Sequence, residues 1–428
     1  MKYKEMPAVF FSENRKKLLS FVEDKSLILF FSNSQMPRTG DQYFPFRQNA
    51  NMFYMSGISL PNAILALCPH HPNPDFREIL FVEQITQKKI IWDGCKHTVE
   101  SLRNLSGIKT VFWTSDFETV LRNLAYHVHH IYLDMTESIK FHSEIKEQTS
   151  LYVDKIKSNY PLHYYHRLFP TLVDMRLIKS RCEIEQIKEA CHITANAFNK
   201  ILRFIKPDLW EYEVEAEIAH EFIRNRACCA FDSIVASGKN ACTLHYIDNH
   251  SKCKDGDLLL LDFGAEYGNY ASDLSRTIPV NGRFTERQKQ IYDACARVYE
   301  YAKTLFVPGM TISKVYKKVS IVMQQELIDL GLFSKADLEN QSSDYELMKQ
   351  YFPHNISHFI GLDVHDVGSV DIIFEDGMIL SCEPGIYIPE EKTGVRIETT
   401  IMVAHHPVDL MPDIPFYSDD IEQIMIND

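Results

Sequence analysis

No apolar stretch in this 428-residue chain approaches the ~20 residues that a membrane-spanning helix requires. The opening run MKYKEMPAVFFSENRKK also lacks the continuous apolar core and small-residue cleavage site of a secretory signal, so a soluble, cytoplasmic protein is expected. A basic excess is missing too. Lys plus Arg number 45 against 58 Asp plus Glu, a net charge of −13. Nucleic acid and anionic membrane both demand a basic face, so neither is an expected partner. The ten cysteines include no C-x-x-C pair, which excludes a zinc ribbon or a thioredoxin-like redox motif and leaves reduced, mostly buried thiols. H-E-x-x-H, G-x-S-x-G and the P-loop are absent: His220-Glu221 is followed by Arg224 where a second histidine would stand.

What is present reads as an ordinary globular chain, 45% hydrophobic and 24% charged, long enough for roughly two to three domains. The runs Ser26–Phe31, 63–67, 79–82 and 131–133 have the short apolar form of buried strands, with a helical pattern over 118–127 between two of them. This predicts an α/β domain over 1–172. Segment 160–174, with two prolines and crowded aromatics, is read as its connection to a second, α+β domain over 173–428. There the spacing predicts a helix over 180–205 stopped by Pro207, and a second through Val214, Ile218 and Phe222. Strands follow at 233–236, Leu258–Phe263 and 277–280. A further helix opens with the capping pair Thr285 and Gln288 and closes at Pro308-Gly309, and its partner runs over 312–331. Strands return at 378–382 and 395–403, and this alternation hints at an internal duplication.

Four carboxylates stand in the wrong places for solvated surface residues. Asp262 ends LLLLD, a run apolar enough to be buried on both faces. Asp273 follows beyond Gly264 and Gly268, which would allow a tight hairpin facing it to Asp262. Glu383 terminates MILSCE before Pro-Gly, and Glu398 lies inside VRIETTIMV. Singly, each has an innocent explanation as a turn residue or strand end. Together, unneutralised, they would repel one another and carry raised pKa values. With His358 of HNISHFIGLDVHD they form a hard, oxygen-rich donor set suited to Mn²⁺, Co²⁺, Fe²⁺ or Zn²⁺ in a catalytic role. Five donors exceed the need of one small ion with an open position and suit a pair of ions. His354 and His358 are also spaced like a helical ligand pair, without the glutamate between them.

The runs LLLLDFGAEYGNYASDLSRT, SHFIGLDVHDVG, CEPGIYI and GVRIE resemble the signatures of the creatinase/methionine-aminopeptidase, or pita-bread, metallopeptidases. Within that group the likeness is to the aminopeptidase P (Xaa-Pro aminopeptidase) family, and SGKNACTLHY, DQYFPFRQNANMFYMSG and the WDG at Trp92–Gly94 point the same way. The resemblance spans nearly the whole chain. It implies a creatinase-like α/β domain followed by a pita-bread catalytic domain. It also implies two divalent ions, most readily Mn²⁺ with Zn²⁺ or Co²⁺ as alternatives. By position, Asp262 resembles the ligand of one ion, Asp273 and Glu398 the bridging carboxylates, and His358 and Glu383 the ligands of the other ion, with Glu383 also the proton shuttle. His245 and His365 match histidines that position substrate and stabilise the tetrahedral intermediate, and His354 matches one that contacts the proline end. Tyr387, Arg396 and Asp41 match a hydrogen-bond network behind the metals.

The implied reaction is attack of a metal-bridging hydroxide on the first peptide carbonyl, with Glu383 passing a proton to the departing proline nitrogen. A proline nitrogen carries no N–H and its ring fixes φ, so the pocket must read ring shape and apolar surface. Trp92 and the aromatic N-terminal segments are candidates, reaching in from a neighbouring subunit of a homodimer or homotetramer as the resemblance would allow. The chain departs from the family pattern at Asn355, where Gly is usual, and at Thr399-Thr400, where acidic residues are common; neither removes a ligand. The rivals are prolidase, with the same fold and ligands, and a metal-free relative, either creatinase or the peptidase-like domain that some histone chaperones use purely for binding, both of which lack ligands.

Overall fold

The computed structural model describes residues 3–94, 97–135, 137 and 148–427. The chain divides into two compact units, Glu5–Met175, and Met1–Lys4 with Arg176–Asp428.

The first unit is built on one mixed sheet. Its strands are β1 (Ser26–Phe31), the hairpin β2 (Pro37–Thr39) and β3 (Gln42–Tyr43), β4 (Ile64–Leu67), β5 (Glu78–Val82), β6 (Thr110–Trp113), β7 (His130–Leu133) and β8 (Tyr164–Arg167). Apart from the hairpin they lie in the order β6-β5-β4-β1-β7-β8. β1 is antiparallel to β4 and parallel to β7. SLILFF is apolar without alternation because this strand is central, and all six residues are buried. The helix Phe117–Tyr126 lays Phe117, Leu121 and Leu124 onto that core at helical spacing.

Segment 160–174 is not the expected connection. It supplies β8, the edge strand parallel to β7, and then enters the helix Phe169–Leu177. Its aromatics serve the edge: Tyr165 packs on the core while its hydroxyl donates to the Tyr160 carbonyl at 2.8 Å, and Tyr164 faces solvent. Pro170 falls in the first helical turn, where a missing N–H costs little.

In the second unit, Ser180 caps the helix Arg181–Phe204 in a box with Glu183, and the helix Glu211–Arg224 packs beside it. A second pair comprises Glu286–Lys303, capped by Thr285 with Gln288, and Ile312–Asp329. The first of these ends at Lys303, short of the expected Pro308-Gly309, and the chain turns so that Phe306 buries itself against Phe374.

The strands are β9 (Cys228–Cys229), β10 (Ile234–Ser237), β11 (Leu258–Phe263), β12 (Ala265–Tyr267), β13 (Tyr270–Ala271), β14 (Leu274–Pro279), β15 (Ile379–Cys382), β16 (Gly385–Ile388), β17 (Thr393–Arg396), β18 (Thr399–Met402) and β19 (Val408–Asp409). They form the sheets β10-β11-β14, β13-β12-β9 and β15-β18-β19 and the hairpin β16-β17. The run 395–403, expected as one strand, is broken at Ile397 and Glu398, because β17 pairs with β16 whereas β18 pairs with β15. At the break, the Glu398 N–H donates to the Ser275 carbonyl at 2.9 Å and the Ile397 N–H to the Pro384 carbonyl at 3.1 Å. Glu398 is therefore a junction residue. Among the described residues, no helix is long and apolar enough to cross a membrane.

Candidate active site

The acidic residues converge because β11, β14, β15 and the β17–β18 junction end beside one another. Asp262 on β11 faces Ser275 on β14, and Asp273 immediately precedes β14. The connection is more than the tight hairpin expected: β12 and β13 form a side ribbon between the two carboxylates. Gly264 makes the crossing of this ribbon feasible, since a Cβ there would lie 1.8 Å from the Ser272 carbonyl oxygen. Glu383 follows β15, its N–H bonded to the Ile356 carbonyl at 3.0 Å. His358 lies in an irregular segment, so the four-residue spacing to His354 is not that of a helical pair. β15 holds it from both sides: Ser381 N–H donates to the His358 carbonyl at 2.8 Å, and His358 N–H to Ser381 Oγ at 2.9 Å.

Side-chain geometry tests whether these residues fit a metal. His358 Nδ1 is 3.1 Å from the Phe359 carbonyl oxygen, which can only accept, so Nδ1 carries the proton and Nε2 presents a lone pair. That nitrogen faces Asp273 Oδ2 at 3.3 Å, Glu383 Oε1 at 3.7 Å and Glu398 Oε1 at 4.0 Å. A lone pair aimed at three carboxylate oxygens is repulsive without a cation among them, and a backbone-bonded Nδ1–H is how ligating histidines are oriented. Asp273, His358 and Glu398 each place a donor atom within 4.8 Å of the others. Asp262 Oδ1, Asp273 Oδ1 and Glu398 Oε1 are buried with no hydrogen-bond partner among the described residues, an expensive arrangement that a cation would resolve. Burial, and then the charges of Asp262 and Glu383, push the Asp273 carboxyl well above the usual range. Burial followed by Asp273, Glu383 and Asp262 does the same to Glu398. The residues present fit a divalent metal centre.

A buried guanidinium stands behind the acids. Arg396 pairs with Asp262 Oδ2, donates through Nε to Ser275 Oγ at 2.8 Å, and through Nη1 to the Tyr387 hydroxyl at 2.8 Å. Ser275 Oγ in turn donates to Glu398 Oε2 at 2.7 Å. Burial works against the Arg396 charge, but Tyr387, Asp262 and Glu398 outweigh it and keep the guanidinium protonated. His354 Nδ1 donates to the Asn355 carbonyl at 2.8 Å, so Nε2, 2.8 Å from the Tyr387 hydroxyl, accepts from it. Burial holds the His354 imidazole below its usual range despite Glu383, consistent with this neutral form. A relay thus runs His354, Tyr387, Arg396, Asp262.

These groups line a cavity of about 270 Å³. Asp262, Asp273, His358, Glu383 and Glu398 occupy it with Arg396, His354, His245 and His365, while Tyr387 lies buried behind. The His365 ring stands edge-on to His358, centroids 4.4 Å apart. The rest of the lining is Phe231, Ile234, Leu244, Ile247 and Val364 with Asp232, none of them singled out from sequence. Leu244, beside His245 in the LHY run, and Val364, beside His365 in the LDVHD run, stood next to such a signal. Asp41 and Trp92 belong to the other unit. Asp41 occupies the turn of the β2–β3 hairpin, where it is exposed and accepts from Gln42 Nε2 at 3.2 Å. Trp92 is 78% exposed on the helix Gln87–Asp93.

A family model for metallopeptidase family M24 matches residues 185–405, and one for the aminopeptidase P N-terminal domain matches residues 11–132. An Xaa-Pro aminopeptidase of Haemophilus influenzae is 34% identical, over 98% of this chain and 98% of its own. One from Escherichia coli is 33% identical over 92% of each. A solved point variant of Escherichia coli aminopeptidase P in complex with substrate superposes with a TM-score of 0.88 at 30% identity, covering 99% of both chains. The chain belongs to metallopeptidase family M24, on the branch that holds the Xaa-Pro aminopeptidases.

Proposed function

We propose that this enzyme is a metal-dependent aminopeptidase that releases the first residue of peptides whose second residue is proline. One observation carries the reading. A single small cavity sets the carboxylates of Asp262, Asp273, Glu383 and Glu398 and the His358 imidazole against apolar side chains, with Asp232 and three further histidines also in its lining. We assign Asp262, Asp273, His358, Glu383 and Glu398 two divalent ions, with Mn²⁺ preferred among the hard cations this donor set suits. When bound, such ions supply Lewis acidity and a water that ionises near neutral pH.

The chain's own residues do the rest. Glu383 is the most open of the four carboxylates, its side chain 18% exposed against 2% for Glu398, which suits it to carry a proton between the buried centre and the leaving nitrogen. His245 and His365, both exposed on the cavity wall, are placed to donate to a substrate carbonyl and its developing charge. Phe231, Ile234, Leu244, Ile247 and Val364 offer the apolar surface a proline ring needs. Tyr387 and Arg396 fix the orientation of His354, Asp262 and, through Ser275, Glu398.

Prolidase is not favoured, because the curated relatives named above are Xaa-Pro aminopeptidases. A metal-free binding module would lack ligands, whereas all five positions are filled. Among the described residues nine cysteines are free, which supports a reducing, cytoplasmic setting, and exposed Ile91 and Trp92 support burial in a homodimer or homotetramer. Elemental analysis after saturation with Mn²⁺ should find close to two ions per chain. Fewer than one would sink the metal reading.

A further inference from the structure

Glu211 lies outside the cavity, yet it holds the wall that carries His245. It is the first residue of the helix Glu211–Arg224 and is fully buried. Both carboxylate oxygens are doubly bonded. Oε1 accepts from Ser237 N–H at 2.7 Å and Asn240 Nδ2 at 3.0 Å; Oε2 accepts from the Tyr246 hydroxyl at 2.7 Å and Ser251 N–H at 2.8 Å. The Glu211 N–H returns a bond to the Ser251 carbonyl at 2.9 Å. Every one of these partners belongs to segment 237–251.

Beyond Ser237, the last residue of β10, that segment has little regular structure of its own, only the short 3₁₀ turn Gly238–Cys242. It nevertheless presents Leu244, His245 and Ile247 to the cavity. Tyr246 sits between two of these lining residues and points the opposite way, buried, onto Glu211. An ionised carboxylate offers about four lone-pair sites, so it can satisfy all four donors at once, which no amide can. Because the donors are at both ends of the segment and at its centre, a shift of any one moves the cavity wall.

We propose that Glu211 is a positioning residue that sets turnover and proline selectivity by clamping segment 237–251, and through it His245, in place. The inference rests on the aminopeptidase reading above. A displacement of His245 by about 1 Å would cost on the order of 100-fold in rate.

The test is a double-mutant cycle in the full-length, Mn²⁺-loaded protein, measuring kcat and KM on an Xaa-Pro-Yaa tripeptide for wild type, E211Q, H245A and the double variant. Gln keeps the shape but turns one acceptor oxygen into a donor facing two donors. E211Q should lower kcat/KM on the order of 100-fold in the wild-type background and only about 3-fold in the H245A background, with E211D restoring part of the loss. Equal fold-losses in the two backgrounds would overturn the inference. If E211Q does not fold, Y246F, which removes one donor of the four, is carried through the same cycle with the same criterion. Hydrogen exchange separates this inference from the functional reading. E211Q or Y246F should speed exchange of the Ser237 and Ser251 amides on the order of tenfold while β11 is unchanged. Unaltered exchange there overturns the clamp even if the enzyme acts on Xaa-Pro peptides. Faster exchange in the variants, with a wild type that cleaves no Xaa-Pro bond, overturns the functional reading and upholds the clamp.

Discussion

Replacing Lys179 with Met probes the scaffold beneath the cavity. The Lys179 side chain is 1% exposed, and its Nζ lies 3.0 Å from Asp366 Oδ2. Arg176, 3% exposed, pairs with Asp366 Oδ1 and reaches Asp363 Oδ2 at 3.0 Å. Burial alone would raise the Asp366 carboxyl, but Arg176 and Lys179 overcome it and hold it below the usual carboxylate range. A Cβ on Gly361 would stand 2.2 Å from Asp366 Oδ2, so segment 359–366, which carries Val364 and His365, wraps tightly around the pair. Methionine preserves the stem and removes the charge, leaving one oxygen of a buried carboxylate without its cation. Breaking a buried pair from one side costs about 3–5 kcal/mol, and the retained Arg176 places this case near the lower end. For a unit of this size, that lowers the melting transition by about 6–12 °C. Calorimetry should show the loss in the transition of the C-terminal unit alone. The sign with pH is also determined. A carboxyl held below its unfolded value stabilises the fold above the unfolded pKa of about 3.9, and that contribution is lost as pH falls through the folded value. The variant should therefore differ from wild type at neutral pH and approach it in acid. A shift under about 2 °C at neutral pH, or one that does not shrink in acid, would refute the reasoning.

Three further outcomes follow from the same geometry. Glu383→Ala should lower turnover by about 10²–10⁴-fold with the melting temperature preserved, because this side chain opens onto the cavity; retained activity would remove Glu383 from proton transfer. Tyr387→Phe leaves His354 Nε2 and Arg396 Nη1 without the shared hydroxyl and should destabilise by about 1–3 kcal/mol, read by chemical denaturation; a neutral effect would mean that the relay is dispensable. In metal-free protein, burial and mutual repulsion raise Asp273 and Glu398, so the folded state keeps protons that the unfolded chain releases. Stability should then fall as pH rises from about 4 towards neutrality. Mn²⁺ at a hundred times its Kd should restore about 2.7 kcal/mol, and melting curves indifferent to both pH and Mn²⁺ would contradict this.

The buried elements were legible because their signal is local. LLLLD and SLILFF announce strands covered on both faces, and a carboxylate ending such a run is conspicuous however it is neutralised. Glu398 was conspicuous for the same reason, but its setting was not: nothing in VRIETTIMV marks the point where the chain leaves β16 for β15. Segment 160–174 was misread because an edge strand of Tyr, Tyr, His and Arg has no apolar alternation, and its place in the sheet is decided by β7. Family resemblance put Tyr387 and Arg396 in one network but not their link to His354, since a hydroxyl shared by residues nine and thirty-three positions away leaves no local trace. The apolar half of the cavity was missed, because Phe231, Leu244, Ile247 and Val364 come singly from irregular segments that carry no period, and Ile234 is one residue of an ordinary buried strand. Glu211 was equally silent, as an acidic residue in a first helical turn ordinarily needs no more explanation than the helix dipole.

The central claim is a metal-dependent cut before proline at a free N-terminus. Incubating the Mn²⁺-loaded protein with Ala-Pro-Ala, Ala-Pro and Ala-Ala-Ala, with and without a chelator, and following released alanine by mass spectrometry tests it directly. Alanine should appear from Ala-Pro-Ala, far more slowly from Ala-Pro, not from Ala-Ala-Ala, and not at all once the metal is removed. Equal cleavage of Ala-Ala-Ala, faster cleavage of Ala-Pro, or turnover that survives chelation would contradict it.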